Sequence, residues 1–497
     1  MLDKGKRGKK TMIYKARILV YLCLTLSILS IHAKVNFKSS ESTFKIAQGA
    51  HLILDNPIDS IIGKVIRGLD AEISGSLLGF NNGFYEDFHS SQQLVGDFQP
   101  DIIDCVFLNG DKALKGINGQ VFAPMVIVEG ENNRIEGKVF FGHDIEMFDS
   151  ASSLTLAMIN RCNKNINLNG GIVFLEEDLH FIDNMSFVGS GLIKANNHSI
   201  VFGAQPITLS QPLTFEAAAD LTMDCNMIIS TTLTFSGYNI INGNHNLFTF
   251  GDDGHIVIDR DSTLELRHIQ IRGLRDHKIR CVDNTGKILL HDSELGLSGN
   301  HSFTLGSFAL EGELSMFGDY VYAYQTTMTS TIMDHSLIHC EGNFTFSYDP
   351  ADGNRHLLAF ADSTAQIVFK KSNLHVTKGG LQVTKGSVFF DDIARCAVEG
   401  DGRIIVGNGT ASDDFYMNFS DGSRLELTQG TLDYRNTQTS SIDMSTVNSM
   451  IRINGGAIFS LDHSINLGPG RLQFMDNAVL TRPIGVDVNG SVEFLQS

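Results

Sequence analysis

Residues 255–273 read HIVIDRDSTLELRHIQIRG, a stretch in which apolar and polar side chains alternate almost without interruption. A period of two sends successive side chains to opposite faces of an extended strand, whereas a helix would need apolar residues three and four apart. Beyond the first 35 residues no run of about a dozen carries a clear helical period. The composition agrees: 497 residues hold 48 Gly, 33 Phe, 8 Pro and no Trp, and Asn-Gly and Asp-Gly pairs separate short apolar runs. Such a chain is expected to be all β.

Repeats narrow the fold. Asp149 opens DSASSLTL, Asp261 opens DSTLEL, Asp292 opens DSELGL, Asp362 opens DSTAQIVF and Asp421 opens DGSRLEL. Each couples a turn, in which Asp or Ser can bond nearby backbone, to a strand with Leu or Ile on one face. A second phrase, Asn-His followed by alternating apolar residues and Gly, places His198, His245 and His301 in NNHSIVFG, GNHNLFTFG and GNHSFTLG. Val-Thr-Lys-Gly also recurs within HVTKGGLQVTKG from His375. Similarity without one rigid period is what a coiled solenoid with variable loops produces.

These phrases resemble the right-handed parallel β-helix of the pectin-lyase-like superfamily, over most of the chain from Gly63 onward. GGAI at Gly455, GGIV at Gly170, FIDN at Phe181 and FYMN at Phe415 also resemble, weakly, the passengers of polymorphic membrane proteins. The resemblance implies a solenoid over residues 63–497, preceded by a cap or lead-in segment at 34–62. At ~24 residues per coil about 19 coils are expected, a rod on the order of 90 Å.

The N-terminus reads as an export signal, residues 1–33. Seven Lys or Arg between Lys4 and Arg17 precede an apolar run from Ile18 to Ile31, and Ala33 offers a small residue for cleavage. The run is short for a bilayer span of roughly 20 residues, yet the long basic region leaves an uncleaved anchor as the alternative. Membrane contact is expected only in that case. Cleavage leaves 31 basic and 55 acidic residues, a formal charge of −24. Such a chain is expected to avoid nucleic acid and to be secreted or displayed at the cell surface.

The histidine phrases are expected to mark one repeated corner between strands. Copies 47 and 56 residues apart lie at least two coils, ~10 Å, from one another, too far to share a metal ion. No metal site and no cofactor are expected for the chain. Cys105, Cys162, Cys225, Cys281, Cys340 and Cys396 recur at gaps of 56 to 63 residues, which suggests equivalent places in the solenoid. Bridged cysteines need Cα atoms within about 7 Å, so buried, unpaired thiols are expected, with some disulfides as the alternative.

Catalysis would rest on carboxylates, because pectin-degrading relatives work with a pair flanking the glycosidic bond or with calcium. Asp252 and Asp253 resemble the paired aspartates of polygalacturonases, and are the candidate catalytic residues. The Asn-Thr-Asp, Gly-His-Gly and Arg-Ile-Lys partners of that family's site are missing from the sequence. An Asp-Asp-Gly turn is the competing reading. The expected function is therefore a non-enzymatic secreted or cell-surface solenoid, adhesive or structural, meeting glycans or surface proteins. The alternative is a polysaccharide lyase or glycoside hydrolase acting on acidic glycans. Lys370, Lys371, Lys378 and Lys385 are read as a solvated face or edge protection.

Overall fold

A computed structural model gives the backbone of strands from residue 36 onward. It gives side chains for residues 125–495 and for Leu108 and Leu114, except for Lys138, 158–160 and 351–356. The expected signal at 1–33, most of the 34–62 segment and the Cys105 side chain lie outside the described residues. No helix occurs among the described residues, and the strands stack in parallel as a β-solenoid of about 16 turns.

Three short strands make a coil. Asp220–Met223, Met227–Ile229 and Thr232–Phe235 form one, and Tyr238–Asn242, Leu247–Phe250 and His255–Ile258 form the next. Thr263–Arg267, Gln270–Leu274 and Ile279–Cys281 follow. The first strands of successive coils pair with one another, as do the second and the third, so the solenoid has three faces. The opening stretch, residues 255–273, is thus three strands on three different faces.

Parallel pairing keeps equivalent side chains in columns. Leu221, Ile241, Leu266, Leu290, Leu310, Ile332 and Phe360 follow one another in register on the first face, all buried. Burial of each such side chain is worth about 1.5–3 kcal/mol. Aromatic columns run alongside: Phe390 lies between Phe369 and Phe419, stacked at 5.1 and 4.7 Å, and Tyr324 stacks on Tyr348 at 5.8 Å.

Corners carry the residues that tolerate a left-handed backbone. Asn196, Asn197, Asn244, His245, Asp261, His268 and Asp292 have φ between +43° and +67°. The Asp turns behave as the sequence predicts: Asp149 Oδ1 accepts from the Ala151 N–H at 3.0 Å, and Asp362 Oδ1 from the Thr364 N–H at 2.8 Å.

Position along the coil departs from expectation. The three Asn-His phrases occupy three different corners: His198 precedes a first-face strand, His245 a second-face strand, and His301 opens the third-face strand His301–Phe303. The evenly spaced cysteines are also inequivalent. Cys225 lies between first and second faces, Cys281 and Cys396 end or occupy third-face strands, and Cys340 sits on the second face. The first two copies place Asn197 and the Asn244-His245 pair in the left-handed region, whereas Asn300 and His301 are not left-handed, so the phrase does not say which corner it builds. Cys162, Cys225, Cys281, Cys340 and Cys396 are all buried and free, in keeping with the unpaired reading. Coils also vary in length. Paired residues stand 20 apart at Asp220 and Ile240 but 29 apart at Val388 and Met417, and the turns number about 16 where 19 were expected.

Candidate functional site

Asp252 and Asp253 sit in an exposed turn between Leu247–Phe250 and His255–Ile258. The Gly254 N–H closes the turn on the Gly251 carbonyl at 3.2 Å. Asp252 is 95% exposed and pairs with Arg275 at 2.9 Å. Beneath it Lys278 is buried, and its Nζ donates to the Gly251 and Asp252 carbonyls at 2.7 and 2.6 Å. Desolvation holds the Lys278 ammonium below the usual lysine range, aided by the nearby Arg275. The lysine thereby ties the corner down from inside. The Lys cluster is likewise partnered in part: Lys371 meets Asp392 at 3.1 Å and Lys378 meets Asp349 at 3.5 Å.

A denser polar arrangement lies elsewhere, at the corner between the first and second faces. His245, His268 and His291 come from three successive coils. The His245 N–H donates to the His268 carbonyl at 2.6 Å, and the His268 N–H to the His291 carbonyl at 3.0 Å. Backbone stacking carries the rings with it: centroids are 5.4 Å apart for His245 and His268 and 5.5 Å for His268 and His291. Asp292 follows at the same corner, with φ +43°. Its Oδ2 lies 3.1 Å from His291 Nδ1 and 3.7 Å from His268 Nε2.

An open groove of about 480 Å³ runs beside this ladder, lined by His245, His268, Gln270, Asp292, Glu294 and Glu313 among others. Its acids are held in place. Glu294 pairs with Arg272 at 2.6 Å, Arg272 lies over the Phe317 ring at 4.9 Å, and Glu313 faces His339 at 3.7 Å. On the adjoining first face Glu265 is buried. Burial pushes its carboxyl upward, but hydrogen bonds from Arg267 and Tyr238 outweigh this and leave it below the usual carboxylate range.

The sequence reading passed over this site. The Asn-His phrase drew attention to His198, His245 and His301, which the fold separates, whereas His268 and His291 have no such neighbour. Their signal is arithmetic: His245, His268 and His291 are spaced by 23 and 23 residues, one coil each. Asp252 and Asp253 belong to the corner between the second and third faces and do not line the groove. No protein-family model matches the chain, and no curated protein or solved structure matches it either, so its likeness to known proteins is the parallel β-solenoid itself.

Proposed function

We propose that the protein is a non-enzymatic, exported β-solenoid, secreted or held at the cell surface, that recognises a glycan or a surface protein. The observation that supports this reading is the groove of about 480 Å³, where four successive coils present imidazole, amide, hydroxyl and carboxylate groups on a backbone fixed by parallel pairing. Such a surface can match a polar partner with little ordering cost. Membership of the pectin-lyase-like superfamily, right-handed winding and removal of residues 1–33 belong to the same proposal, with an uncleaved anchor as its variant.

A second reading has a specific observation behind it. Asp292, Glu294 and Glu313 gather in one groove with histidines beside them, and grouped carboxylates are what a polysaccharide lyase or hydrolase uses. It ranks second because Arg272 already engages Glu294, and because uncompensated carboxylates repel an acidic glycan.

The test incubates the protein with acidic and neutral glycans, with and without calcium, following binding, reducing ends and unsaturated products. Saturable binding without turnover is expected, weakened at least tenfold by Gln270→Ala with Glu313→Gln. Asp252→Ala with Asp253→Ala should change neither. Turnover abolished by Asp292→Asn with Glu313→Gln would establish the second reading instead.

A further inference from the structure

We propose that His268, His291 and Asp292 bind one divalent metal ion of the zinc class. A tetrahedral ion with bonds of ~2.0–2.2 Å holds its ligand atoms about 3.3 Å apart. Here His291 Nδ1 and Asp292 Oδ2 are 3.1 Å apart, and His268 Nε2 and Asp292 Oδ2 are 3.7 Å apart. All three donor atoms fall within 4.8 Å of one another. The two distances to Asp292 Oδ2 lie within a few tenths of an ångström of the tetrahedral separation, and the ion would draw the two imidazole nitrogens to a like separation.

Two further observations point to a cation. His291 Nδ1 is shielded from solvent and has no hydrogen-bond partner, although a carboxylate oxygen lies 3.1 Å away. An orphaned buried nitrogen is costly, and a metal ion between it and the carboxylate satisfies both. The Asp292 carboxylate is also held in a suitable orientation, because its Oδ1 accepts the Glu313 N–H at 2.8 Å and leaves Oδ2 for the ion. Space for that carboxylate comes from Gly312, where a Cβ would stand 2.2 Å from Oδ1. Two imidazoles and one carboxylate favour zinc, cobalt, nickel or copper over calcium and magnesium, which prefer all-oxygen shells. The three side chains are each about one-third exposed, at 29–38%, and His268 and Asp292 line the groove, so an ion can enter from that side. The site holds whether or not the groove takes a partner.

Tag-free protein titrated with Zn2+ by calorimetry is expected to bind one equivalent tightly, and Co2+ should give the intense visible absorption of a tetrahedral site. His268→Gln, His291→Gln and Asp292→Asn should each weaken binding at least tenfold. Asn accepts the left-handed backbone at 292, so unchanged circular dichroism and thermal midpoint would separate lost binding from lost folding. Gly312→Ala, which displaces the carboxylate without removing a ligand, should also weaken binding, while His339→Gln should not. Equal affinity in the wild type and the His268→Gln, His291→Gln pair, or a cobalt spectrum of the hexaaqua ion alone, would overturn the proposal.

Discussion

At the scale of single residues the cysteines offer the plainest prediction. Desolvation pushes the Cys162 and Cys281 thiols up to about 12, and raises those of Cys225, Cys340 and Cys396 as well. A thiol that holds its proton more tightly when folded contributes its full stability below the unfolded value of ~8.5 and loses it as pH rises toward the folded value. The denaturant midpoint should therefore fall between pH 8 and pH 10. Iodoacetamide should spare these five thiols in the folded protein and label them after denaturation without reductant. Label on fewer than two would mean that disulfides exist. The sequence made this much legible because bridging distance rules out partners several coils apart. It could not place each thiol on a face, since gaps of 56 to 63 residues are not multiples of any one coil length.

Elements are governed by their corners. Gly254 closes the Asp252-Asp253 turn where a Cβ would lie 1.9 Å from the Ile229 carbonyl oxygen, and Gly402 repeats the relation with Val376 at 2.1 Å. The obstructing oxygens belong to backbone in or beside paired strands, which cannot retreat. Gly254→Ala should cost about 1–3 kcal/mol, read from urea midpoints. An unchanged midpoint would mean that the corner is looser than its geometry implies. Turn chemistry was readable in advance at this scale: the Asp and Ser phrases do precede strands, at Ser153–Ala157, Thr263–Arg267 and Gln366–Lys370. Their assignment to a face was not, because all three corners use the same residues. The candidate site was hidden for the same reason. His268 and His291 become neighbours only once coil length is known, and that length varies.

For the molecule as a whole, each coil rests on the one before and the one after. Phe390 stacks between Phe369 and Phe419, so Phe390→Ala should cost about 3–5 kcal/mol locally. Hydrogen exchange should quicken in the strands between Gln366 and Met444 and stay unchanged between Ser199 and Cys281. A uniform increase along the chain would contradict the picture of nearest-neighbour support. The solenoid itself was legible from repeated phrases of unequal spacing, though the number of turns was not. One consequence of this stacking concerns time rather than stability. Rung partners stand 18 to 29 residues apart in a chain of 497, a relative contact order of roughly 0.05 for those contacts, well under the range usual for all-β proteins. Formation of each rung closes only a short loop, whatever the length already assembled. Such a chain can acquire structure progressively as it leaves a ribosome or a pore, without waiting for its far end.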